Sequence, residues 1–135
     1  DPFHIKPEDL LCKLNSSSRP IKTLLMDQTI ILGLGNIYAS EILFASKISP
    51  FRPGKTITKT NVETILKNAR TILDAAIAER GSTISNYQAP NGPGNYQKFH
   101  QVYGKASLPC PVCQTPLEKA LINQRTCVYC PKCQQ

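Results

Sequence analysis

Four cysteines near the end of the chain, Cys110-Pro-Val-Cys113 and Cys130-Pro-Lys-Cys133 with sixteen residues between the pairs, constrain the fold more than any other feature. A C-x2-C step sets two sulfurs on one tight knuckle, and two such steps at either end of a hairpin-sized insert supply a closed tetrahedral zinc site. Few apolar residues lie in the insert, so the metal is expected to supply much of its folding free energy. Cys127-Val-Tyr-Cys130 offers an overlapping C-x2-C step, and the ion can use only one. Pairing Cys113 with Cys130 leaves sixteen residues, inside the usual range of roughly 15 to 20, whereas starting at Cys127 leaves thirteen. Cys110, Cys113, Cys130 and Cys133 are thus the expected ligands of one structural Zn2+, and Cys127 is read as a strand residue. A disulfide framework is the alternative for six cysteines in a short chain. Cys12 and Cys127 stand outside the paired pattern and argue against it. Cys12, in an ordinary helical stretch, is expected to be a small buried hydrophobe.

The 135 residues, 41% of them apolar, suffice for one modest core with an appended mini-module. Sixteen Lys and Arg against nine Asp and Glu give a net charge of +7, which favours a polyanionic partner. The excess is uneven. Residues 1–81 hold eleven basic and eight acidic groups, whereas residues 82–135 hold five basic groups opposed only by Glu118. A metal module nearly free of carboxylates suits contact with phosphates. No secretory signal pattern and no apolar run of membrane-spanning length occurs, so a soluble protein of a reducing cytoplasm, without membrane contact, is expected.

Helical signals fill the first part. Pro7-Glu8-Asp9 ahead of Leu10, Leu11 and Leu14 predicts a short helix ended by Asn15-Ser16-Ser17-Ser18. Pro20 opens a second, striped by Ile21, Leu24, Leu25 and Met26 up to Asp27. After the apolar turn Ile30 to Asn36 comes a helix from about Asn36 to Ser46, with Ile37, Ile42, Leu43 and Ala45 facing inward; the two helices are joined by a glycine-bearing turn. From Thr60 to Arg80 the periodicity is cleanest, with Thr60-Asn61-Val62-Glu63 as a capping box and Val62, Ile65, Leu66, Ala69, Ile72, Leu73, Ala76 and Ile77 inward, closed by Gly81. Between Gly81 and Cys110 the periodicity fails, and Gln88 to Tyr96 reads as a long loop. Ala120-Leu121-Ile122 and Cys127-Val128-Tyr129 form the arms of a β-hairpin turning at Asn123-Gln124-Arg125-Thr126.

The Gly33-Leu34-Gly35-Asn36 turn admits two readings. Its glycines bring the backbone close to another surface, where the following helix N-terminus offers N–H groups to a phosphate, or they merely let two helices pack closely. It is no dinucleotide fingerprint, since the third glycine and the surrounding βαβ unit are missing. Lys22 likewise reads equally as a nucleic-acid contact or as part of a solvated helix face.

Ile21-Lys22-Thr23-Leu24-Leu25-Met26-Asp27-Gln28, then Gly33-Leu34-Gly35-Asn36-Ile37-Tyr38-Ala39-Ser40-Glu41, then Val102-Tyr103-Gly104, then the four cysteines, resemble in that order the C-terminal half of bacterial formamidopyrimidine-DNA glycosylases. The resemblance implies a mainly α fold: a helix-two-turn-helix DNA-binding domain over residues 1–100, with a lesion-recognition loop near 82–100, followed by a β-hairpin zinc finger over 101–135. It implies lesion-strand phosphate contacts from Asn36 and Arg125, with Arg19, Lys22, Gly35 and Tyr38 also at the DNA. Gly92, Gly94 and Tyr96 fall in the loop whose backbone closes over the everted base. Arg125 is the one catalytic assignment, assisting the elimination that releases the 3′ sugar remnant; a guanidinium offers a fixed fork of donors to a leaving phosphate.

The implied parent removes oxidised purines, 8-oxoguanine and formamidopyrimidines, in base excision repair, and cuts the abasic site by β,δ-elimination. Its partner is double-stranded DNA with such a lesion or an abasic site, and the expected protein is a monomer at the bacterial nucleoid. An endonuclease VIII-type enzyme for oxidised pyrimidines and a non-catalytic zinc DNA-binding module are the rival readings. Some positions depart from the family pattern: Arg19 stands alone beside three serines, Lys105 replaces a common arginine, and Gln134-Gln135 replaces a basic end. The family's nucleophile is an N-terminal proline followed by glutamate, which Asp1-Pro2-Phe3 does not provide. The chain is therefore expected to be an inactive fragment lacking the N-terminal catalytic domain.

Overall fold

The computed structural model describes residues 4–31, 34–78 and 100–135. Helices α1 (Pro7–Asn15), α2 (Ile21–Leu25), α3 (Asn36–Ala45) and α4 (Lys59–Ala78) precede an antiparallel hairpin of β1 (Glu118–Ile122) and β2 (Arg125–Tyr129), with a 3-10 turn at Gly54–Thr56. This is the mainly α architecture expected, a helical domain followed by a four-cysteine hairpin. Residues 82–99, including Gly92, Gly94 and Tyr96, and the helix stop at Gly81 lie outside the described residues.

Each helix starts where local chemistry favours it. Pro7 sits in the first turn of α1, whose Glu8 and Asp9 face the positive dipole end and whose Lys13 faces the negative one. In α4 the cap lies two residues earlier than the expected Thr60–Glu63 box. The Thr58 hydroxyl accepts from the Asn61 backbone N–H at 3.1 Å, and Asn61 Oδ1 accepts from the Thr58 N–H at 3.0 Å, which is the reciprocal pattern of a capping box with asparagine at its third helical position. α3 ends in a Schellman turn: Lys47 adopts φ 61°, Ile48 N–H bonds to Leu43 O at 3.0 Å, and Lys47 N–H bonds to Phe44 O at 3.1 Å.

The main core gathers Leu10 and Leu14 of α1, Ile21, Leu24 and Leu25 of α2, Ala39, Ile42 and Leu43 of α3, and Val62, Ile65, Leu66 and Ala69 of α4. α3 is buried on nearly every side, as expected of a central helix with so few polar residues. Three expectations fail at the margins. Ala45 is exposed, Ile77 is 70% exposed, and Cys12 is exposed rather than buried. Periodicity gives the direction of an apolar stripe and not how far neighbours extend to cover its ends. A second, smaller core joins Phe44 of α3 to Val102, Leu117, Val128, Cys110 and Cys130. One helix thus feeds both cores.

The hairpin is tighter than expected. Ile122 pairs with Arg125, so only Asn123 and Gln124 turn the chain, at φ 50° and 65°, the left-handed pair of a two-residue primed turn. Arg125 and Thr126 therefore belong to β2, where strand alternation rather than loop freedom sets their directions.

Gly54 wedges between α1 and α2 where a side chain has no room. A Cβ there meets Leu24 Cδ1 and lies 2.5 Å from Leu14 O. Gly54→Ala is expected to lower stability by about 1 to 3 kcal/mol, the usual cost of overpacking, read as a lower urea midpoint of the helical signal. Unchanged stability contradicts this packing.

Candidate nucleic-acid interface and metal centre

The four predicted cysteines converge. The Sγ atoms of Cys110, Cys113, Cys130 and Cys133 all lie within 4.8 Å of one another, with Cys110 to Cys133 at 3.9 Å and Cys113 to Cys130 at 3.5 Å. A tetrahedron of zinc–sulfur bonds of about 2.3 Å has edges of about 3.8 Å, so the set fits that ion. Knuckle amides reinforce the thiolates: Val112 N–H points to Cys110 Sγ at 3.4 Å and Cys133 N–H to Cys130 Sγ at 3.3 Å. The hydroxyl and then the backbone of Thr115 hold the Cys113 thiol down at about 6, while hydrogen bonding with Cys113, followed by burial, pushes Cys133 up to about 12. Cys113 thus offers a thiolate more readily than Cys133 does. Cys127 takes no part. It is 1% exposed in β2, with the Ser40 hydroxyl 3.7 Å from its sulfur.

The four-cysteine end is docked on the helices by its last residues. Gln134, 4% exposed, accepts the Cys130 N–H at 2.7 Å and donates to Ile48 O at 2.9 Å, so it ties the second knuckle to the turn after α3. The Phe51 and Tyr129 rings meet edge to face at 5.3 Å on the docking side of the hairpin.

Asn36 joins the two parts. It opens α3 directly after Gly35, whose extended backbone forms the N-cap, and no side chain caps this helix start. Lys22 Nζ donates to Asn36 Oδ1 at 2.7 Å, and Asn36 Nδ2 donates to Thr126 O in β2 at 3.0 Å. The carboxamide orientation is thereby fixed by a cation on one side and a carbonyl on the other. Lys22 is fully buried, so neither the solvated face nor a direct surface contact describes it; its role in this structure is to hold Asn36. Burial lowers its pKa, opposed by the neighbouring Cys127 sulfur and reinforced by the Arg125 charge.

Asn36 and Arg125 line one cavity of about 530 Å³ together with Tyr103, Gly104, Lys119, Gln124 and Thr126, and among the described residues no carboxylate lines it. The guanidinium of Arg125, exposed beside the turn, has no hydrogen-bond partner among the described residues. Two cations, an amide-bearing side chain and an uncapped helix start thus face one carboxylate-free space, an arrangement built for an anion. A Cβ on Gly35 would meet nothing within 4 Å, so close packing within the chain does not explain that glycine. Arg19 lies elsewhere. It pairs with Asp27 at 3.2 Å and borders a separate groove of about 270 Å³ on the far side of the hairpin turn, which Arg125 also lines. Tyr38 is half-buried against the main core and does not line the Asn36 cavity.

Lys119, Tyr103 and Gly104 escaped selection as site residues. For Lys119 a signal existed. It pairs with Val128, two residues from Thr126 in β2, so period-2 alternation puts Lys119, Thr126 and Val128 on one face.

Comparison with known proteins agrees with these features. The family model for the formamidopyrimidine-DNA glycosylase H2TH domain matches residues 3–88. A formamidopyrimidine-DNA glycosylase of Thermus thermophilus is 43% identical over 124 residues, covering 90% of this chain and 46% of the relative. That of Listeria monocytogenes is 41% identical over 128 residues, covering 94% and 47%. The crystal structure of the MutM (Fpg) protein from Thermus thermophilus superposes with a TM-score of 0.88 at 40% identity, over 96% of this chain and 50% of that one. A complex between the Lactococcus lactis Fpg and DNA containing an abasic site gives 0.89 at 34% identity, over 96% and 48%. This chain spans about half the length of these relatives, and the match to their helical domain and to the structures that carry it shows that it belongs to the formamidopyrimidine-DNA glycosylase family.

Proposed function

We propose that this chain is the DNA-gripping part of a bifunctional DNA glycosylase and AP lyase of base excision repair, whose whole form removes oxidised purines and cleaves the abasic site by β,δ-elimination. The carrying observation is that Asn36, from the helical part, and Arg125, from the hairpin, face one carboxylate-free cavity although 89 positions separate them. A solved relative holds abasic-site DNA and another holds DNA with a carbocyclic 8-oxo-G, which supports duplex DNA bearing such a lesion as the partner. Phosphates of the damaged strand enter the cavity and meet Asn36, the α3 start and Arg125, while Lys119 adds charge from β1. These contacts offset the few kcal/mol needed to evert a base. In the elimination, Arg125 donates hydrogen bonds to the departing phosphate. The residues described here supply the binding, as a monomer, and the glycosylase and lyase steps need in addition a nucleophile of the whole protein.

Zinc fits the four-sulfur site as a structural ion, held by Cys110, Cys113, Cys130 and Cys133. Its role is to fix the hairpin and with it the position of Arg125.

Arg125→Ala is expected to weaken binding to an abasic-site duplex by about tenfold and to reduce the salt slope of log K by about 0.9, one phosphate contact; Asn36→Ala weakens binding with little change in slope. Fluorescence anisotropy across a salt series checks both, and unaltered affinity in either variant contradicts the reading. Borohydride treatment with an 8-oxoguanine duplex is expected to trap no adduct, and a covalent adduct with this chain overturns its role as a binder.

Cys130→Ser is expected to abolish stoichiometric zinc and melt the hairpin while the α1–α4 helical signal survives, and Cys127→Ser is expected to retain the metal. Because protons compete with the ion for thiolates, zinc release should rise as pH falls. Metal analysis after dialysis decides the point: loss of zinc from Cys127→Ser contradicts the ligand set.

A further inference from the structure

We propose that Glu41, which does not touch the cavity, is a positioning residue that sets the Tyr103–Gly104 wall of the phosphate site by clamping three consecutive backbone amides. The inference rests on the phosphate-site reading above and adds to it the element that builds the wall facing Asn36.

Glu41 lies in the middle of α3, is 3% exposed, and is the only buried carboxylate among the described residues. A carboxylate in such a place persists only when its lone pairs are filled. They are: Oε1 accepts the Gln101 N–H at 2.7 Å, and Oε2 accepts those of Val102 at 3.0 Å and Tyr103 at 2.8 Å. Three successive amides turned onto one anion form a nest, with the charge supplied by the protein itself. Val102 is thereby drawn fully into the second core. The next two residues, Tyr103 and Gly104, emerge as cavity wall, with Gly104 at φ 75°. His100, 3% exposed, meets the Tyr103 ring edge to face at 5.7 Å and braces it from behind.

Asn36 and Glu41 are on the same helix. α3 therefore carries one wall of the site at its first residue and fixes the other through a side chain five positions on, so the width of the cavity is set by one rigid element. Glutamine cannot substitute. Its single carbonyl oxygen serves at most two of the three donors and its own NH2 confronts the third.

The test measures affinity for an abasic-site duplex together with backbone amide exchange. Glu41→Gln is expected to raise Kd at least fivefold with an unchanged salt slope, because no phosphate-facing cation is lost, and to speed exchange at Gln101, Val102 and Tyr103. Combined with Asn36→Ala, its effect should fall short of the product of the two single effects, since both shape one site. Affinity equal to that of the unaltered chain, with exchange at the three amides accelerated, overturns the proposal. Should Glu41→Gln fail to fold, the unaltered chain decides alone: the three amides must exchange slowly as a unit and slow further with DNA bound, and unprotected exchange there overturns the clamp. Failure of the unaltered chain to bind the duplex overturns the phosphate-site reading and the clamp's role with it, whereas normal binding unaffected by Glu41→Gln overturns the clamp alone.

Discussion

The carboxamide of Asn36 is the joint on which the rest of the arrangement depends. It takes a hydrogen bond from buried Lys22 and gives one to Thr126 in the hairpin, so helix α2, the start of α3 and strand β2 meet at one side chain. Hydrogen bonds to a charged donor are stronger than neutral ones, and a low-dielectric surround strengthens them further. Burying a lysine carries a desolvation cost that only such partners offset. Lys22 consequently acts through Asn36 from behind, while Arg125 lines the cavity itself.

The hairpin could not hold this position by its own packing. Val128, on the face that also carries Lys119, and Leu117 join a small core that includes two of the cysteines, and the remaining fixation comes from Gln134 on Ile48, Phe51 on Tyr129, and Phe44 reaching across from α3. A metal that clamps both knuckles at the base would convert a marginal two-stranded ribbon into a rigid pointer, as small modules with thin cores require. The division of labour follows: the helices hold the backbone of the site, the thiolates hold the reach of Arg125, and Asn36 registers one against the other.

Much of this was legible in the chain itself where the governing interaction is local. Cysteine spacing is dictated by ligand geometry, and it pointed to the four sulfurs that converge and to the exclusion of Cys127. The long α4 stripe and the proline starts of α1 and α2 are local too. What sequence could not show was set by partners distant in the chain. A lysine at Lys22 reads identically whether it meets water or the amide of Asn36. Glu41 closes the Gly33 to Glu41 run that carries the resemblance, yet its three amide partners lie sixty and more positions away. The α4 cap was displaced because asparagine stands where glutamate is the familiar signal. The turn was drawn too long because Asn123-Gln124 lacks the glycine that usually announces a two-residue hairpin. In each of the last two cases the geometry is ordinary and only the residue that normally advertises it is absent.

The central claim is that the helical part and the four-cysteine hairpin address one common anion site. The direct measurement is a nitrogen-15 correlation spectrum of the zinc-loaded chain titrated with a duplex containing a stable abasic site. The side-chain amide of Asn36, the backbone amides of Tyr103 and Gly104, and the Arg125 Nε–H should all shift along one binding curve with a single Kd. Shifts confined to one of the two parts, or separable curves for Asn36 and Arg125, contradict the account.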